Sequence, residues 1–385
     1  MAYLVNLDDV AWHDGSDRRY EGEAARSGIP RMHAVEDYHV LEAIGAALDM
    51  KILCPLVLCD WDKDNILRGE IGVTNNPHGW DRASKINMSY AKACFEALEG
   101  AEHIEYAIHG LNHGRYNEKG ECITQREYFP PVVVDGKTVG CRGDLPDFKR
   151  RLSLFNKIYN SWGFKKQIRS FASPCGVSKA PNEDIIAMAE YLHTCGIKYW
   201  TNSGFVFDGR VATYHDVFIM KGAGGYIGGK AMPWNAFDYD PQMLGHIYPD
   251  KTEYSSNIFC GHWANFLRYN PKKNMDGVDA WVSYFKGEAE RFGLMLARDI
   301  AFSSNQRMYS YFANIEEEKD AIKIDLTETV KNSPTWRENV FYISIVNERT
   351  PISCEGGEIE LCETHSDFKN YKVTHTSDNV VIKLK

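Results

Sequence analysis

Apolar residues recur along the chain in two rhythms, and the change from one to the other divides it. Up to about residue 313, short apolar runs alternate with stretches carrying apolar residues at three-and-four spacing, the pattern of strand-helix units around a mainly parallel sheet. The runs predict strands at 3–7, 51–59, 103–108, 167–172, 197–200, 217–220, 257–261 and 308–312. The intervening periodicity predicts helices at 33–49, 85–99, 147–162, 182–195 and 277–301. Eight strands with helices between them suit an α/β barrel better than an open sheet, and barrels carry their chemistry at the C-terminal strand ends. Beyond Asn314 the rhythm becomes a period of two, at 321–326, 340–346 and 379–384, which marks half-buried antiparallel strands. This predicts a catalytic domain over 1–314 and a small C-terminal all-β domain over 315–385. The charged Glu316-Glu-Glu-Lys-Asp320 would join them as a solvated linker. The small domain is read equally well as a carbohydrate-binding module or as a packing or dimerisation domain.

Composition narrows the partners. With 44% hydrophobic and 25% charged residues among 385, the chain is an ordinary globular one. A net charge of -9 without a basic block excludes a nucleic-acid backbone or an anionic membrane as the expected main partner. A neutral or cationic ligand fits better, and a homo-oligomer is compatible with the sequence. The 21 Tyr, 18 Phe and 9 Trp include rings that can stack on sugars, although core filling accounts for most of them. No run reaches the roughly 18 apolar residues of a membrane span. The 10 cysteines form no CxxC pair and sit mostly in apolar runs, so they read as reduced core residues. As written, the sequence is expected in the cytoplasm, or outside the cell or in the periplasm if a signal peptide precedes it.

The chemistry-bearing signal is a constellation at two strand ends. Asp8-Asp9 closes the first apolar run, and His109-Gly-Leu-Asn-His113 closes the third. One carboxylate with two imidazoles is the ligand set of an open divalent-metal site, and the second carboxylate is left over as a base. Singly, each half has an ordinary explanation: paired acids form Asx turns, and histidines at i and i+4 are often solvated surface. Their joint occurrence points to hydrolysis. The i, i+4 offset would set both rings on one helical face if the segment enters a helix after the strand.

At these residues the chain resembles the polysaccharide deacetylases of carbohydrate esterase family 4. The resemblance implies a distorted (β/α) barrel of 7–8 parallel strands and a metal-dependent hydrolase that removes N-acetyl groups from sugars. It makes Asp8 the catalytic base and Asp9, His109 and His113 the metal ligands, with Gly110 standing where a hydroxyl residue is usual. The third motif is matched loosely by Phe171-Ala-Ser-Pro-Cys-Gly176. Ala172 replaces the arginine that orients the base, and Cys175 replaces the tyrosine whose backbone N–H serves the oxyanion. Arg169 lies at the wrong offset and could substitute for that arginine only with a different local geometry. His262, in Ile258-Phe-Cys-Gly-His262, is implied as the general acid, with Trp263 walling the acetyl pocket. The resemblance covers roughly 3–310, leaving out an insert at about 206–250 and the β tail.

Zinc suits one carboxylate, two imidazoles and an open position, though cobalt, nickel and manganese accept the same ligands. Around the mouth, Trp12, His13, Asp60, Trp61 and Trp200 with Asn202 are candidate contacts for a carbohydrate substrate. Gly224-Gly-Tyr-Ile-Gly-Gly-Lys-Ala231 nearly spells a phosphate loop, but Ala231 lacks the hydroxyl that holds magnesium and Pro233 obstructs the helix that should follow. It reads as a glycine-rich loop that covers the site. The rival readings are an O-deacetylase, a non-sugar amidase, a glycoside hydrolase using Asp8 with Asp60 or Asp208, and a carbohydrate-binding pseudoenzyme.

Overall fold

A computed structural model of the chain describes residues 2–12, 31–175, 177, 180–201, 211–220, 226–227, 230–231, 258–291 and 293–385. Its centre is a mostly parallel sheet of β1 (Ala2–Asp8), β2 (Ile52–Val57), β3 (Ile104–Gly110), β4 (Ser170–Ala172), β5 (Tyr199–Thr201), β6 (Ala212–Tyr214), β7 (Val217–Ile219) and β8 (Ile258–His262). The spatial order is β6-β7-β5-β4-β3-β2-β1-β8, with only β6 and β7 antiparallel to each other. Four helices make the crossovers between β1 and β5: α1 (Val35–Leu48), α2 (Met88–Gly100), α3 (Leu145–Trp162) and α4 (Asn182–Thr194). The chain therefore lays β1 to β5 side by side in sequence order, adds β7 and then β6 at the far edge, and returns β8 to the other flank of β1. Among the described residues no ladder joins β6 to β8.

The strands read as continuous apolar runs because both faces are covered. Tyr3, Val5 and Leu7 of β1 join Ile52, Cys54 and Ile108 in one core with Tyr38, Leu41, Phe148 and Leu152 from the crossover helices. The alternate residues Ala2 and Leu4 join Leu53, Ala107, Tyr199 and Phe218 in a second core. By the period of two, Asn6, Asp8 and His109 continue that second face toward the C-terminal strand ends. The candidate site is the polar end of an otherwise apolar face.

After β8 come α5 (Val278–Arg291), the short strand β9 (Met295–Leu296) and α6 (Ile300–Phe312). The predicted strand at 308–312 is thus the end of a helix, and the predicted helix at 277–301 is split. Asp299 caps α6, accepting from the Phe302 N–H at 2.7 Å, and β9 rather than 308–312 pairs with the start of β1. The aromatic run misleads because α6 is wedged between two cores, with Met308 facing the second and Tyr309 a third.

That third core belongs to β10 (Asn314–Glu317), β11 (Ala321–Asp325), β12 (Val340–Val346), β13 (Pro351–Glu355), β14 (Gly357–Thr364), β15 (Phe368–His375) and β16 (Asn379–Leu384). They form two antiparallel sheets, β10-β11-β16-β13 and β12-β15-β14, and the short helix α7 (Thr327–Asn332) lies between β11 and β12. The alternation was legible: Ile322 and Ile324 meet Val380, Ile382 and Leu384 inside. The charged stretch read as a linker is half strand, since Asn314–Glu317 pairs with Ala321–Asp325.

Candidate metal centre

Asp9 leaves β1 with φ 64, and the chain beyond it is tied to β2 by Val10 N–H to Pro55 O at 3.1 Å and Val57 N–H to Val10 O at 3.0 Å. His109 lies in β3, and the chain then turns through Leu111 and Asn112 to His113, which has φ 57. The left-handed region is costly for residues other than glycine, so two of the three ligand candidates sit on strained backbone. No helix is involved; a strand end and a tight turn, not one helical face, bring the two rings together. Asp9 Oδ1 lies 3.3 Å from His109 Nε2 and 3.9 Å from His113 Nε2. One ligand atom from each residue lies within 4.8 Å of the others, and all three residues are buried.

The tautomer of His109 follows from its other nitrogen. Nδ1 is 2.7 Å from the Ala172 carbonyl, which can only accept, so Nδ1 carries a hydrogen and, in the neutral ring, Nε2 turns a lone pair toward Asp9. Two acceptors so opposed call for a shared cation, a proton or a metal. Burial pulls the His109 pKa down, but Asp8, Asp9 and the Ala172 carbonyl together outweigh it and push it up to about 9. The buried Asp/His/His triad can hold a metal ion, and its donor set fits one. Asp8, also buried, accepts from Asn6 Nδ2 at 2.8 Å, and the ladder sets it beside His262. The His262 side chain lies outside the described set.

Three contributions here were not read from the sequence. Ala172, taken as a lost arginine, acts through its carbonyl, to which any residue type could contribute. Asn6 was a visible polar break in the run 3–7. Glu127, wholly buried, accepts from the backbone N–H groups of Leu111, Asn112 and His113, and only its place before an apolar Tyr-Phe pair hinted at burial.

Other candidates fall elsewhere. Cys175 is exposed with φ 55, so the third loop also turns through the left-handed region. Arg169 precedes β4, its carbonyl accepting from Lys198 and Tyr199, and it therefore lies at the opposite end of the sheet from Asp8 and cannot orient it. Trp12, Trp61, Trp200 and Trp263 are wholly buried and offer no face to a sugar. Trp12 packs on Trp61 with centroids 4.9 Å apart, Trp200 on Phe171 at 5.2 Å, and Trp263 stacks on His33 at 4.0 Å. Asp60 is held by Arg82 at 2.8 Å. His13, Asn202, Asp208 and Pro233 lie outside the described residues, as do Gly224, Gly225, Gly228 and Gly229 of the glycine-rich loop; Tyr226–Ile227 and Lys230–Ala231 pair antiparallel. A cavity of about 440 Å³ lies at the far end of the sheet, lined by Lys51, Glu105, Lys166, Arg169 and Asp299.

No known family model matches the chain, and no curated protein does. Among the described residues no helix is long and apolar enough to cross a membrane.

Proposed function

We propose that the protein is a metal-dependent hydrolase that removes an N-acetyl group from an N-acetylated sugar. The observation that carries this reading is the buried apposition of Asp9 Oδ1 with the Nε2 atoms of His109 and His113, with Asp8 adjacent in the chain. Asp9, His109 and His113 would hold the cation, and zinc is the ion their chemistry suits best. Such a cation, when bound, supplies Lewis acidity that acidifies water and polarises an acyl oxygen.

The chain's own residues would do the rest. Asp8 takes a proton from the attacking water, and Asn6 fixes its carboxylate, doing the work that an arginine does in the family resembled. The Cys175 backbone N–H would face the developing oxyanion, a kind of contact worth roughly 3 kcal/mol. His262, set beside Asp8 by the register, would protonate the departing amine. The strand order, with β8 returned to the flank of β1, supports a distorted barrel with a seam between β6 and β8.

The glycosidase reading loses one of its two candidate second carboxylates, because Asp60 is committed to Arg82, while Asp208 lies outside the described residues. The acyl rivals and the pseudoenzyme are separated by one experiment. Metal-stripped protein is incubated with N-acetylated oligosaccharides, O-acetylated oligosaccharides and simple amides, and acetate or free amine is followed as zinc is restored. Zinc-dependent acetate release from the N-acetylated sugars is expected. Release from O-acetyl esters alone, or none from any substrate, would refute the assignment.

A further inference from the structure

We propose that Glu127 is the positioning residue of the metal loop and that Gly110 is the space this carboxylate requires. The inference deepens the proposed function and rests on its reading of the triad as a metal site. A β-carbon on residue 110 would lie 2.3 Å from Glu127 Oε2 and 2.9 Å from its Cδ, closer than side-chain carbons approach anything. Gly110 lies within strand β3 and needs no left-handed backbone, so room, not conformational freedom, is what glycine supplies there. What resembles a missing hydroxyl in His109-Gly-Leu-Asn-His113 is therefore an exchange: a side chain distant in sequence has taken over the loop.

Both oxygens of Glu127 are engaged. Oε1 accepts from Leu111 N–H at 3.0 Å, and Oε2 from Asn112 N–H at 3.3 Å and His113 N–H at 2.8 Å. Three amides converging on one carboxylate hold His113 in its left-handed turn, and thereby aim its imidazole at Asp9. The negative charge is supported by Arg151, itself buried, whose Nη1 lies 3.4 Å from Glu127 Oε1 and donates to Gly114 O at 3.2 Å. Arg151 also donates to Gly72 O at 2.6 Å and to Asp147 at 2.8 Å, while Arg115 Nε donates to the Glu127 carbonyl at 2.8 Å. The loop from Leu111 to Gly114 is gripped at both ends by one ion pair.

The test is a zinc titration of the full-length protein against a competing chromogenic chelator, well below each variant's melting temperature. Wild type should bind zinc, and Asp9→Ala should not. Glu127→Ala and Gly110→Ser should each weaken zinc binding about 10–100-fold, as loss of a ligand's support typically does. In Glu127→Ala/Gly110→Ser the clash is gone, so the double variant should bind no more weakly than Glu127→Ala alone. Should Glu127→Ala not fold, Glu127→Gln keeps the volume with a single acceptor and should show a smaller loss. Leu41→Ala, in the core under α1, should lower the melting temperature without weakening zinc, separating positioning from general destabilisation. Additive losses in the double variant, or wild-type affinity in the Glu127 variants, would overturn the inference alone. Failure of the wild type to bind zinc would remove the metal-site reading, and this inference with it.

Discussion

At the N-terminal ends of the strands, Lys166 gives its ammonium to the carbonyls of Leu98, Ala101 and Ile104, and Glu99 accepts from the backbone N–H groups of Lys165 and Lys166. Asp299 and Glu105 there take the first amides of α6, from Phe302 and Ile300. At the C-terminal ends, Asp9, His109 and His113 turn ligand atoms toward one another, on backbone in the left-handed region at Asp9 and His113. One end pairs donors with acceptors, which is what a scaffold needs. The other gathers a carboxylate and two imidazoles at one buried point, an arrangement that a shared cation, a proton or a metal, stabilises.

The sharpest way to break this contrast is to remove a ligand. Asp9→Ala or His109→Ala should abolish zinc binding by elemental analysis after dialysis, and with it nearly all activity; a fully metallated double variant would end the idea. Next in size, Asp8→Asn should keep zinc and lose about 10²–10⁴-fold in kcat, as removal of a general base does. An unchanged kcat would remove Asp8 from the chemistry.

At the scaffold end the effects should be on stability alone. Lys166→Met leaves three carbonyls without their donor and should cost about 1–3 kcal/mol in urea unfolding with zinc affinity unchanged. A change in zinc affinity would show that the two ends communicate. A further effect there is on the pH dependence of stability, through Glu105, whose carboxyl is pushed up from 4.5 to about 8 by burial and by the neighbouring Asp299. The folded chain then keeps a proton that the unfolded chain releases, so this group's contribution is full below pH 4.5 and is lost progressively as the pH rises to about 8. Glu105→Gln keeps an acceptor for Ile300 N–H and should flatten that fall; equal slopes in the two proteins would exclude Glu105 as its source.

The sheet strands β1 to β5, β7 and β8 and the crossover helices were legible because their periodicity is reinforced by end signals, such as Asn87 and Asp144 capping α2 and α3, and Gly163 at φ 76 ending α3, whereas the three-residue β6 was too short to leave a pattern. Asp8, Asp9, His109 and His113 were legible as chemical types at strand ends, whereas the turn that unites the two histidines was not. Its geometry depends on Glu127 and on the Ala172 carbonyl, contacts made across the fold that leave no local pattern. The tryptophans misled for the converse reason: proximity in sequence to the strand ends says nothing about whether a ring points to solvent or to the core. The end of α6 was misread because burial on opposite sides by two cores erases the one-faced stripe on which helix recognition relies.

The pairing of β1 with β8 has a consequence for how the molecule is made. Asp9, His109, His113 and Ala172 are all synthesised well before residue 258. The flank of β1 must wait for residue 258 before its partner exists. A nascent chain can thus assemble the triad long before His262 arrives beside Asp8, and the first strand stays open on one edge until then, the interval in which such chains are most prone to pair wrongly.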